Sequence, residues 1–156
     1  MYSPILNAEF SDCRIYRYAL WRVWDQSKPR CLFIGLNPST ADETTDDPTI
    51  RRCIGFAREW GFGGLIMGNL FAVRATDPRE MLRHPSPVGP DNDMWLKKLK
   101  AQAERTIAAW GTRGRYLGRG PEVRTMLGQM MCLKLTKKGH PQHPLYLPKR
   151  SLLRPF

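Results

Sequence analysis

The sequence predicts an α/β domain built on a mainly parallel central sheet, and three observations carry that expectation. Short apolar runs (CLFIGL, LIMGNLF, TIAAW, MMCLKL) alternate with stretches of helical spacing, the pattern of strands returned by crossover helices. The length, 156 residues, suits one domain with one core, so residues 1–156 are read as a single unit. Apolar residues make up 42% of the chain, enough to exclude wholesale disorder.

Taken in order, residues 13–24 (CRIYRYALWRVW) are rich in aromatic and β-branched side chains and read as a strand. The turn-like DQSKP leads into the buried strand 31–36, so these two strands are expected to pair antiparallel, at the N-terminal side of the sheet. NPSTADETTDD is a polar loop. Asp47-Pro48 then reads as an N-cap followed by proline in the first helical position. Ile50, Ile54, Ala57 and Trp60 recur at helical spacing behind it, up to a terminating Gly61. A second buried strand covers 65–71. Asp77-Pro78 opens a short helix, HPSPVGPDND is a loop, and 93–104 reads as an amphipathic helix. The third buried strand, 106–110, gives way at Gly111 to a glycine- and arginine-rich loop up to Gly120. Pro121 starts a helix to about Gln129, the strand 130–135 follows, and a basic tail covers 148–156.

Charge supplies the first functional clue. The chain has 25 Lys plus Arg against 14 Asp plus Glu, a formal net charge of +11. Seven of the acids lie in the first fifty positions and none follows Glu122, whereas Arg124, Lys134, Lys137, Lys138, Lys149, Arg150 and Arg154 accumulate there. Such crowding points to a polyanion partner, most simply nucleic acid. No stretch approaches the roughly 18–20 apolar residues that cross a bilayer, and the first fourteen residues show no leader pattern. Cys13, Cys31, Cys53 and Cys132 lie far apart without a C-x-x-C pair. The expectation is therefore a cytoplasmic protein with reduced thiols and no metal site. No G-x-G-x-x-G follows a strand, so no cofactor is expected. Nothing such as a heptad pattern argues against a monomer.

Ligands of open α/β sheets bind beyond the carboxyl ends of the strands. Four segments at such ends carry polar side chains or glycine: Asn37 to Thr40, Asn69, Gly111-Thr112, and the histidine segment after the last strand. Asn37 before Pro38 suits a turn, yet Ser39, Thr40 and Asp42 follow it and crowd donors and acceptors into one loop. Asp47 reads mainly as a helix cap. His84 sits in a proline-rich turn and reads as a surface residue. His140 and His143 (GHPQHPLYL) are flanked by prolines that hold an imidazole rigidly at the ligand end.

At GLNPSTAD, GNLFAVRATDP, AAWG and HPQHPLYL the chain resembles an uncharacterised bacterial and phage family, a domain of unknown function, over about residues 13 to 148. The same landmarks follow, more distantly, the order of the uracil-DNA glycosylase superfamily. Gly35-Leu36-Asn37-Pro38 matches its G-x-[ND]-P loop, Asn69 its strand-ending asparagine, and Trp110-Gly111 its aromatic-glycine pair. The region from His140 to Leu145 matches its closing His-Pro segment and probing leucine, with His143 favoured because Pro144-Leu145 follow directly. His84-Pro85-Ser86-Pro87 repeats that motif before the third strand, the wrong topological position. Ser39-Thr40 stand where the superfamily carries glycine or tyrosine, and no stacking aromatic follows the first motif.

The resemblance implies a three-layer α-β-α sandwich and cleavage of an N-glycosidic bond in DNA, on a uracil-like or modified pyrimidine. Asn37 and His143 would be the catalytic pair, Asn37 placing water and His143 stabilising the departing base. Gly35, Leu36, Pro38, Ser39, Thr40, Asp42, Asn69, Trp110, Gly111, His140 and Leu145 would line the substrate site. Arg113, Arg115, Lys137, Lys138, Lys149 and Arg150 would hold phosphates. Three alternatives stay open: an enzyme on a hypermodified phage-type pyrimidine, a non-catalytic module binding a nucleotide or damaged base, and a hydrolase of free nucleosides.

Overall fold

The computed structural model describes residues 4–156; Met1–Ser3, the start of the stretch searched for a leader, lie outside the described residues. Thirteen short elements fold around one seven-stranded sheet. The strands are β1 (Ile5–Phe10), β2 (Arg17–Val23), β3 (Arg30–Gly35), β4 (Gly64–Asn69), β5 (Arg105–Ala108), β6 (Met131–Cys132) and β7 (Arg154–Pro155). The helices are α1 (Pro48–Glu59), α2 (Pro78–Arg83), α3 (Asn92–Gln102) and α4 (Arg119–Leu127), and 3-10 turns cover Thr112–Gly118 and Pro144–Tyr146. The order across the sheet is β1-β2-β4-β3-β5-β6-β7. The four central strands, β4 to β6, are parallel, and β1, β2 and β7 add antiparallel margins on both sides.

Side chains alternate along the parallel strands and build a core on each face. Cys31, Phe33, Leu65, Met67 and Ile107 pack under α1 with Ile50, Cys53, Phe56 and Ala57. Leu32, Ile34, Ile66 and Ala108 pack on the other face with Met81, Leu96, Leu99, Val123 and Leu127 of α2, α3 and α4. α1 and α2 start as their sequence signals predict, whereas α4 begins at Arg119, two residues before the expected Pro121. Asp47 Oδ1 accepts from Ile50 N at 2.9 Å to cap α1, and Asp77 caps α2. Gly61 takes φ +83° just past α1, a conformation that suits glycine.

The margins differ from the sequence reading. β2 does not pair with β3 through the DQSKP turn: β4 lies between them, with Leu20 and Phe33 both in register with Met67. The physical reason is Gly63-Gly64. A Cβ on Gly63 would stand 2.0 Å from the Asp25 carbonyl oxygen, and one on Gly64 2.9 Å from Val23 Cγ2. Because neither carries a side chain, the β2–β3 turn can cross the start of β4, and the wholly buried β4 takes the central place. β1, a strand the sequence reading leaves unassigned, has exposed Leu6 and Asn7 and lacks the apolar continuity of a buried strand. The predicted strand 130–135 pairs only at Met131–Cys132, because the chain then turns into a hairpin closed by Thr136 N to His140 O at 2.8 Å. The basic tail is partly built in: β7 pairs with β6, and Phe156 packs edge-on against Trp110 at 5.6 Å.

Candidate active site

Parallel register brings three strand ends to one level. Gly35 lies beside Asn69, Ile34 beside Ala108, and Ala109 N bonds Ile34 O at 2.9 Å. The loops leaving these ends are laced together by Leu70 N to Gly35 O at 2.9 Å and Ala75 N to Pro38 O at 2.9 Å. Gly111, at φ +72°, donates its N–H to Pro141 O at 2.7 Å and ties the histidine segment to the end of β5. These loops enclose a cavity of about 790 Å³, the size of a small-molecule or base-binding pocket.

Of the residues the sequence singles out, Gly35, Leu36, Asn37, Pro38, Ser39, Asn69, Trp110, Gly111, His143 and Leu145 line this cavity, with Arg113 and Lys137 at its exposed rim. Thr40, Asp42, His140, Arg115, Lys138, Lys149 and Arg150 do not. Asp42 is a turn residue whose carboxylate accepts from Thr44 N and Thr45 N at 3.0 and 2.8 Å, bonds that hold its carboxyl below the usual range. His140 closes the hairpin above, and its backbone N–H donates to Thr136 Oγ1 at 3.1 Å. Lys149 and Arg150 face a separate groove with Arg51 and Arg52 beside α1. His84 caps α2 at its C-terminal end and accepts from Ser86 N, away from the cavity, as its turn context predicts.

Asn37 Nδ2 donates to Ala75 O at 2.9 Å and Pro38 O at 3.0 Å. Only the N–H₂ end of an amide can face two carbonyl oxygens, so Oδ1 is the end left to serve a ligand. Asn69 is 2% exposed, and its Nδ2 has no hydrogen-bond partner among the described residues. A Cβ on Gly35 would stand 2.8 Å from Asn69 Oδ1, so the glycine makes room for that amide. From the opposite face Asn92 Nδ2 holds the Asn69 and Leu70 carbonyls at 2.9 and 3.1 Å, which fixes the strand end carrying Asn69.

His143 Nδ1 accepts from Leu145 N at 3.2 Å. In the neutral ring the proton then sits on Nε2, leaving an N–H donor on the other side. Burial pushes the His143 imidazole below its ordinary value, against the smaller opposing field of Asp47. Asp47 lines the cavity too, its carboxylate engaged by Ile50 N and by Ala41 N at 3.4 Å. Sequence reasoning misses Arg17 altogether. It lies in β2, is 2% exposed, and lines the cavity; the available signal is a charge inside an otherwise apolar strand run. Among the described residues no group of three His, Cys, Asp or Glu could hold a metal ion, and no helix is long and apolar enough to cross a membrane. Cys31, Cys53 and Cys132 are buried free thiols, and burial pushes Cys31 up to about 12.

A family model described as a protein of unknown function, DUF1643, matches residues 17–145. The chain belongs to the DUF1643 family. The match spans β2 to the last 3-10 turn and takes in every residue named here as lining the cavity. Comparison of this DUF1643 domain with curated proteins and with solved structures gives no match.

Proposed function

We propose that the chain is a DNA glycosylase-like hydrolase that cleaves the N-glycosidic bond of a uracil-like or modified pyrimidine, on a sheet of the uracil-DNA glycosylase type. One observation carries this reading. Asn37, Asn69 and His143 come from three separate segments and meet on the wall of one cavity at the carboxyl ends of the parallel strands.

The target nucleotide turns out of the duplex so that its base enters the cavity. Asn69 hydrogen-bonds the base edge. Asn37 Oδ1 accepts from one water and holds it against C1′; an amide orients this water without deprotonating it. The bond from C1′ to the base nitrogen breaks with both electrons leaving on the base, and the sugar passes through an oxocarbenium-like state. Water oxygen then bonds C1′ and its proton passes to solvent. His143 donates its Nε2–H to the pyrimidine oxygen where negative charge develops, the role of an oxyanion-hole donor, worth about 10²–10³ in rate. Lys134, Lys137 and Arg113 at the rim suit phosphates read without regard to sequence.

The test is a cleavage assay on labelled single- and double-stranded oligonucleotides carrying uracil, a G·T mismatch or 5-hydroxymethyluracil, with heat and alkali cutting abasic sites. Alkali-labile product that disappears with Asn37→Ala is the expected result. Full activity in Asn37→Ala overturns the assignment.

A further inference from the structure

Three arginines of this chain are almost wholly buried, and their surroundings differ. Arg22, 3% exposed, bonds Asp46 Oδ1 at 2.8 Å and the carbonyl oxygens of Asn7, Trp21, Asp42, Glu43 and Thr45. Arg119, 2% exposed, bonds Leu70 O at 2.8 Å, Glu122 at 2.7 Å and Asp93 at 2.6 Å. Each has its charge opposed and its fork of donors used. Arg17 is as deeply buried, yet among the described residues the one hydrogen bond of its guanidinium runs from Nη1 to Ala41 O at 3.0 Å. Its Nε has no partner, and among the described residues it makes no ion pair.

A guanidinium carries five N–H donors, and a buried charge left without a counter-charge destabilises the fold. Burial lowers Arg17 to about 10, with Asp47 opposing that shift and Arg74 and Arg22 adding to it; the group remains a cation at neutral pH. Asp47 does not discharge it by contact: among the described residues the two make no ion pair, and the Asp47 carboxylate turns to Ile50 N and Ala41 N. Arg17 also faces the cavity whose remaining cationic lining is Arg113, Lys134 and Lys137, with Asp47 the sole acid among the lining residues. Neutral carbonyl oxygens would cover the N–H groups and leave the charge in a medium of low dielectric. Only an anion answers both needs.

We infer that Arg17 is an oxyanion-recognition residue, and that the ligand of this cavity brings a phosphate or carboxylate group to it. The inference stands apart from the reaction proposed above, because it concerns binding at Arg17 whatever bond is cleaved or none. A tetrahedral phosphate and a planar carboxylate share the chemistry, and two probes separate them.

The experiment is a thermal-denaturation titration of the full chain with potassium phosphate and with potassium acetate, against potassium chloride at matched ionic strength. Wild type, Arg17→Met and Arg17→Lys are compared. The expected result is a saturable rise in Tm of about 2–5 °C for wild type with one of the two anions, at least fivefold weaker binding in Arg17→Met, and partial retention in Arg17→Lys. Arg17→Met without ligand should melt no lower than wild type, because it removes a buried charge that makes no ion pair. The assigned Nε–H resonance of Arg17 in wild-type protein, followed by ¹⁵N NMR through the same titration, needs no variant to fold and should shift with the same midpoint. Equal responses in wild type and Arg17→Met would assign binding to surface cations and overturn the inference. An Nε–H resonance that stays still with both anions would overturn it too.

Discussion

Asn37 and Asn92 make the same local interaction in opposite surroundings. Each uses Nδ2 to bridge two backbone carbonyls, Asn37 those of Pro38 and Ala75, Asn92 those of Asn69 and Leu70. Asn92 is 0% exposed, and among the described residues its Oδ1, between α3 and the end of β4, has no partner. Asn37 is half-buried and lines the cavity. One amide therefore spends its donors on the scaffold with its oxygen shut in, and the other is anchored by its nitrogen on the cavity wall with its oxygen outside that bridge. A fixed strand end on one face of the sheet and an open loop at its edge are what hold Asn69 and Asn37 at a common site.

The sharpest way to break this comparison is to truncate both asparagines. Asn37→Ala should lower the cleavage rate by about 10²–10³ while moving Tm little. Asn92→Ala should leave the rate per folded molecule within about threefold but cost about 1–3 kcal/mol of stability, since the Asn69 and Leu70 carbonyls each lose a buried donor and Leu70 O keeps that of Arg119. Chemical denaturation paired with single-turnover cleavage reads both quantities. If Asn92→Ala were the variant that lost the chemistry, the division between scaffold and site would be reversed.

His143 comes next, with His143→Gln expected to lose about 10² in rate. The pH profile carries a sign as well. Burial holds the folded imidazole below the ordinary histidine value of about 6.5, so as pH falls through 6.5 the unfolded chain takes up the proton first. Stability contributed by the neutral ring is present above 6.5 and is lost as pH drops below it. The neutral ring, held by Leu145 N at Nδ1, persists below that value, so the cleavage rate should stay level from pH 8 to 6.5 and fall only beneath that, where a proton on Nδ1 displaces the bond that orients the ring. A rate already halved at pH 6.5 would remove His143 from the donor role.

Gly35→Ala tests the space around Asn69. Its Cβ would stand 2.8 Å from Asn69 Oδ1 and 2.8 Å from Met67 Cε, and Met67 can yield more easily than an amide fixed at a strand end. Weaker ligand binding by about tenfold, one 1.4 kcal/mol step, is expected with a small change in Tm. The smallest effect belongs to Lys149→Ala with Arg150→Ala, whose groove lies apart from the cavity. DNA affinity should fall at low salt and converge with wild type as salt rises, while the single-turnover rate stays within about threefold.

Much of the scaffold is legible in the order of residues along the chain. The caps at Asp47 and Asp77, the apolar strands and the helix spacing behind Pro48 are local signals, set by backbone donors and by side-chain period, and they hold. Asn37, Asn69, Gly111 and His143 are legible as candidates because each stands at the end of an apolar run or in a proline-fixed segment. What local signals cannot encode is which strands become neighbours. Gly63-Gly64 lets β4 enter between β2 and β3, an outcome that depends on a carbonyl far away in sequence, Asp25 O.

The same limit separates the two histidines and the three arginines. His140 and His143 share one proline-rich segment, yet the hairpin at Thr136 turns His140 into a closing residue and leaves His143 on the cavity wall. Arg17 and Arg22 share one strand, and only packing determines that Arg22 meets a ring of carbonyls and Asp46 while Arg17 meets one carbonyl and the cavity. By itself the sequence determined the central strands and the helices, the basic charge and the residues at the strand ends, because these follow from neighbours along the chain. The tertiary structure decided which polar groups are satisfied and which face the cavity, because hydrogen-bond saturation is a property of three-dimensional surroundings.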